Sequence, residues 1–203
     1  MTNVATTDGA RVAKRPPKTR DRILTAALEL FLERGFDGTT ISAIERAVGL
    51  AAGTGSFYRH FRSKEEVFVA SVEQSATEYI EEFVAALEEL RRIDDPRQRL
   101  RRDFHMRLGA IRTFEPISRL ITAERERFPE LQRMFTAALE LNQWKLGWED
   151  HPLPAIVMAA LVGYGQLSQL DDSPYRDVPA DDFIDALIDL LTSAGVTPPT
   201  RVD

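Results

Sequence analysis

The sequence predicts an all-α protein of about nine helices, and three observations carry that expectation. Apolar residues recur at helical spacing from Ile23 to Leu191. No segment carries a strand signal. Proline, glycine and paired aspartates interrupt the pattern at distances that suit helices. The punctuation divides the 203 residues into a flexible basic arm (1–18), a three-helix unit (19–66) and a longer helical body (67–203).

Residues 1–18 are polar, aperiodic and proline-containing, as an arm requires. From Thr19 to Arg34, Ile23, Ala27, Leu30 and Phe31 share one helix face, and Gly35 is placed to end that helix. Thr39 or Thr40 can cap a short second helix whose Ile41, Ile44 and Val48 turn inward. Glycines at 49, 53 and 55 break the pattern before SFYRHF. Ser63 then caps a further helix, with Glu66 at its third position. Short helices joined by a glycine-bearing turn make a helix-turn-helix.

Beyond it, Val67 to Arg92 is helical in period. Asp94-Asp95-Pro96 stops one helix and starts another, strongly basic, from about Arg97 to Phe114. Pro116 and Pro129 punctuate the middle, and a long segment follows from Pro129 to Trp148. Leu153 to Leu170 is apolar nearly all round, and Phe183 to Leu191 makes a last amphipathic helix. A helix apolar on every side must be buried. Small residues at Ala159 and Gly163 permit close approach of another helix, so a homodimer interface built with Leu187 and Leu191 is one expectation. The centre of the chain's own core is the other.

Composition removes several function classes. With no cysteine there is no disulfide, thiolate metal site or cysteine nucleophile. His60, His105 and His151 are too scattered for a histidine metal site, and no metal or cofactor is expected. The longest apolar run, Leu153 to Gly165, falls short of the roughly 20 residues of a membrane helix. The first residues lack the apolar core of a secretory signal, which makes the cytoplasm the expected compartment. Neither a phosphate-cradling glycine loop after a strand nor a nucleophile elbow is present, so an enzyme is not expected. The net charge of −6 is divided unevenly. Residues 1–70 hold 11 basic and 8 acidic groups (+3), and residues 71–203 hold 15 and 24 (−9). A positive end on an acidic body suits an anionic polymer at that end only, and it argues against a nucleoid-type protein that coats DNA without sequence preference.

From Thr19 to Val72 the chain resembles the DNA-binding domain of the TetR family of bacterial transcriptional regulators. The resemblance runs through Ile23-Leu24, Ala26-Ala27, Leu30-Phe31, Gly35-Phe36, Thr39-Thr40-Ile41 and Ala47-Val48-Gly49, and on to Gly55-Ser56-Phe57-Tyr58, His60-Phe61 and Ser63-Lys64-Glu65. Between Gly49 and Tyr58 the chain is two residues longer than the usual pattern, so the recognition helix starts at Gly53 or Thr54. The resemblance implies a homodimer on double-stranded operator DNA, with Thr54 and Ser56 near base edges. Thr40, Tyr58 and Lys64 would stand at phosphates, and Arg59 and His60 would add positive charge. The basic arm (Arg11, Lys14, Arg15, Lys18, Arg20) would track phosphates or a minor groove.

The resemblance further implies that the body (67–203) binds a small-molecule effector and dimerises. Phe83, Phe104, Phe114, Phe128, Trp144 and Trp148 are available to line a largely apolar cavity, and Met106, Met134 and Phe135 accompany them. Arginines between Arg91 and Arg127 could hold an anionic effector or form salt bridges with the Asp/Glu runs. The expected function is a repressor released from its operator by the effector, the alternative an activating or ligand-independent regulator.

Overall fold

The computed structural model describes residues 18–50, 55–141 and 152–195. Among these are seven α-helices, one 3-10 turn and no strand. They are α1 (Thr19–Gly38), α2 (Ile41–Ala47), the turn Phe57–Arg59, α3 (Lys64–Leu90), α4 (Pro96–Ala123), α5 (Pro129–Leu141), α6 (Leu153–Leu167) and α7 (Ala180–Ser193). The all-α expectation holds, while the count of about nine is not matched. One reason is Pro116, which was expected to punctuate and instead sits inside α4. Proline in a helix interior loses a hydrogen bond and strains the preceding turn, at about 3 kcal/mol. The burial of Ile117, Leu120 and Ile121 just after it opposes that cost.

Two apolar cores organise the chain. The first joins α1, α2, the 3-10 turn and the start of α3 to the end of α4 and to Phe128 and Leu131. Its centre is aromatic: the ring of Phe68 meets Phe31, Phe36 and Phe128 at centroid distances of 4.9, 5.1 and 4.6 Å. The second core packs Leu100, Phe104 and Leu108 of α4 against Val157 and Leu161 of α6 and Ile184 and Ile188 of α7. Here α4 and α6 approach closely at Gly165, where a Cβ would stand 3.1 Å from Ile111 Cγ2. Two helices therefore belong to more than one region. α3 runs unbroken through residues 66 and 67, and α4 has its first half in the second core and its last turns in the first.

A charge ladder fixes α7 along α4. Arg97, Arg101 and His105 recur every fourth residue on α4, and Asp181, Asp185 and Asp189 do so on α7. Run antiparallel, they pair in order: Arg97 with Asp189 at 2.6 Å, Arg101 with Asp185 and Asp181 at 3.1 Å, and His105 Nε2 with Asp181 at 2.8 Å. These side chains are a third or more exposed, so each pair contributes little and their joint effect is to set register.

Candidate nucleic-acid interface

Three local devices shape the amino-terminal unit. Thr40, not Thr39, caps α2: its Oγ1 accepts from the Ala43 amide at 3.2 Å. Thr39 is buried, and its hydroxyl lies 3.0 and 2.9 Å from the carbonyl oxygens of Leu30 and Gly35. Gly35 was expected to end α1. It does leave the helical conformation, at φ 71°, but one more turn follows, through Gly38. α2 ends in a Schellman motif, in which Leu50 N–H donates to Glu45 O (2.8 Å) and Gly49 N–H to Arg46 O (3.1 Å), with Gly49 at φ 72°. Ser63 caps α3 as expected, its Oγ accepting from the Glu66 amide at 3.2 Å.

Between α2 and α3 lies the segment that the resemblance assigns to base reading. Phe57 and Phe61 are fully buried in the first core, 5.8 Å apart between centroids. That anchorage turns the residues between them outward. Tyr58 is 59% exposed, Arg59 is exposed and His60 half-buried. Ser56 is half-buried at the start of the 3-10 turn, and Thr40 is exposed at the start of α2. Thr54, together with Arg11, Lys14 and Arg15 of the arm, lies outside the described residues.

Lys64 has an internal role that spacing alone does not disclose. Its Nζ donates to the carbonyl oxygens of Phe36 (2.9 Å) and Thr39 (3.1 Å) and lies 4.2 Å from the centre of the Phe36 ring. The ammonium thus bridges two carbonyls at the end of α1, of which that of Phe36 also accepts from the Thr39 amide at 3.3 Å. Arg127 stacks over the same ring at 4.7 Å and donates to Asp37 Oδ1 at 2.9 Å. Its hydrogen bond and positive charge hold the Asp37 carboxyl below its ordinary pKa. A ring between two cations, one from α3 and one from the α4–α5 turn, ties the amino-terminal unit to the body.

The residues expected to line an effector cavity do not form one group. Phe128 is 4% exposed within the first core and Phe104 fully buried in the second. Phe83 and Phe114 are half-buried and linked through Tyr79, whose centroid lies 6.0 Å from Phe83 and 5.2 Å from Phe114; Phe135 stacks on Phe114 at 5.7 Å. Burial raises the Tyr79 hydroxyl above its usual pKa. Trp144 and Trp148 lie outside the described residues. Beside Phe83 is a feature the sequence reading passed over: Arg107 donates through Nε to both oxygens of Asp103 (3.0 and 2.9 Å), each residue only 3% exposed. The i,i+4 spacing of opposite charges on α4 was the available signal.

Of the residues expected at a dimer interface, Leu187 and Leu191 point into the second core of the same chain. Ala159 is exposed, and Gly163 has open space where a side chain would stand. With Ile156 (58% exposed) and Leu167 (40%) they form one uncovered stripe of α6, and on α7 Leu190 is 66% exposed. Among the described residues no helix is long and apolar enough to cross a membrane, and no group of three or more His, Asp or Glu could hold a metal ion.

Comparison with known proteins bears on the amino-terminal domain and on the fold. Residues 23–71 match the family model for bacterial regulatory proteins of the tetR family. The HTH-type transcriptional regulator TcmR of Streptomyces glaucescens is 41% identical over 98 residues, which are 48% of this chain and 41% of that one. The biofilm operon icaADBC HTH-type negative transcriptional regulator IcaR of Staphylococcus epidermidis is 37% identical over 62 residues, 30% of this chain and 32% of that one. The aligned region thus spans less than half the length of either relative. Over the whole fold, a TetR-like transcriptional regulator from Rhodococcus sp. RHA1 superposes with a TM-score of 0.59 at 22% identity, covering 89% of this chain and all of the other. Residues 23–71 are thus those of an amino-terminal domain of the tetR family of bacterial regulatory proteins, and the likeness of the remainder is one of fold.

Proposed function

We propose that the chain is a sequence-specific DNA-binding repressor that acts as a homodimer and is released from its operator by a small, largely apolar effector. The observation that carries the reading is the turn at Phe57–Phe61, whose buried phenylalanines leave Tyr58 and Arg59 exposed to solvent between α2 and α3. Residues 19–66 serve as the DNA-binding unit, and residues 67–203 bind the effector and dimerise. Tyr58, Thr40 and Arg59 contact phosphates, while Ser56 and Thr54 face base edges, and His60 adds charge when protonated. Lys64 holds the end of α1 with two donors and offers its remaining charge at the start of α3.

The test begins by selecting bound fragments from the source genome to obtain the operator. Tyr58→Phe should then weaken operator and random duplex by similar factors, because phosphate contacts carry no sequence information. Ser56→Ala should weaken the operator alone, by about 1–3 kcal/mol. A salt titration of both variants on both duplexes checks this, and equal loss for Ser56→Ala on the two would place Ser56 at the backbone instead.

Dimerisation is assigned to the uncovered stripe of α6 with Leu190, since Leu187 and Leu191 are already occupied within the chain. Exposed apolar patches of this kind mark association surfaces. Light scattering should give about 46 kDa, twice the 22.9 kDa of one chain, as two-fold symmetry requires. Leu190→Glu, which places a charge on the most exposed large apolar side chain among the described residues, should return the mass to that of one chain without unfolding it.

Effector release would act through α4, which is shared by both cores. A guest in the body that tilts α4 moves the unit bearing Tyr58. Two recognition elements then cease to match major grooves roughly 34–36 Å apart. The coupling is reciprocal, so operator DNA weakens effector binding by the same factor.

A further inference from the structure

At the end of the α3–α4 pair remote from the first core, a cleft of about 480 Å³ opens between the last turns of α3 and the first turns of α4. Its volume is within the range of small-molecule sites. Ala86, Leu90, Ile93 and Met106 make an apolar floor, while Glu89 stands on the α3 wall and Arg102 and His105 on the α4 wall. Of the aromatic residues expected to line an effector cavity, Phe83, Phe104, Phe114 and Phe128 do not border it.

We propose that this cleft binds an amphipathic organic anion, its apolar body on Leu90, Ile93 and Met106 and its anionic group at Arg102. The reading rests on the ligand-responsive function proposed above and names the chemical class of the ligand. Arg97 and Arg101 are neutralised by the aspartates of α7 and His105 is tied to Asp181, whereas Arg102 is exposed and pairs with no carboxylate among the described residues. The available cation of the cleft is therefore Arg102. Glu89 on the opposite wall repels an anion and so fixes orientation: the charged end goes to α4, the apolar end inward.

The position also gives binding a consequence. α3 and α4 have 27 and 28 residues, rods of about 40 Å each. Their opposite ends, Val67, Phe68 and Val72 on α3 and Ile117, Leu120 and Ile121 on α4, lie in the first core with Phe57. A guest wedged between the helices near residues 91–95 changes the angle at which those ends meet.

Anilinonaphthalene sulfonate, an aromatic anion that fluoresces on leaving water, is the probe, with decanoate as competitor. The full chain should bind one equivalent per protomer, displaced by decanoate. Arg102→Glu, a change at an exposed position, should weaken binding about tenfold or more, and Met106→Trp should abolish it by filling the floor. Unchanged binding in both variants would overturn the proposal by placing the probe on other apolar surface. Loss in Met106→Trp with Arg102→Glu unaffected would overturn the anionic class. Should Met106→Trp fail to fold, Arg102→Glu alone decides. Operator affinity is measured separately with decanoate present. Site-specific binding without operator release upholds the cleft and refutes its link to DNA, so the two readings fail independently.

Discussion

Truncating Phe128 to alanine should destabilise the protein by about 3–5 kcal/mol, the range for deleting a large buried aromatic side chain. Phe128 is 4% exposed, and its ring meets Phe68 at 4.6 Å and Phe36 at 5.2 Å. The lost contacts belong to two parts of the chain at once, because Phe36 and Phe68 come from α1 and α3 and Phe128 from the turn before α5. Urea unfolding should therefore show a lower midpoint and, if the first core opens before the second, a broadened transition. Binding of small ligands at temperatures where the variant stays folded should be unchanged. A variant of near wild-type stability that lost ligand affinity would instead make Phe128 a cavity residue.

Arg107→Leu should cost a similar amount at neutral pH, about 3–5 kcal/mol, since it leaves a carboxylate buried without its partner. Asp103 is 3% exposed, and burial already pushes its pKa above the ordinary value despite the attraction of Arg107. Removing the cation raises it further. A carboxyl whose folded pKa exceeds its unfolded value binds the proton more tightly when native. The penalty is thus absent below the unfolded pKa, near 4. It grows as pH rises from there toward the folded pKa. Relative to wild type, Arg107→Leu should recover stability as the pH falls from 7 toward 4. Asp103→Leu combined with Arg107→Leu should be far less damaging than the single change, because no charge is then left buried. Urea titrations of the three proteins at several pH values check both statements, and a pH-independent deficit would show that Asp103 stays ionised and solvated.

Residues close in sequence were legible because their signals are local. Helical period placed α1, α2, α3 and α7, and the caps at Thr40 and Ser63 are written in the hydroxyl-x-x pattern that serves free amides at a helix start. Ile23, Ala27, Phe31, Phe57 and Phe61 belong to the first core as their spacing required. The ordered matches within residues 23–71 carried the resemblance to the tetR-family domain, since they lie in one short segment of the sequence.

Tertiary packing decided the rest. Pro116 remains helical because Ile117, Leu120 and Ile121 are held in a core made chiefly by residues some 50 to 100 positions earlier. Phe128 became a core residue through Phe36 and Phe68, which no periodicity relates to it. Lys64 turned inward because the carbonyls of Phe36 and Thr39 arrive beside it only after α1 and α3 pack. Gly163 and Gly165 are two residues apart on one apolar helix, yet α4 crowds Gly165 and leaves Gly163 open. Composition and period say that such a helix must be buried, but which side faces its own chain depends on where its neighbours pack, and that information lies far away along the sequence.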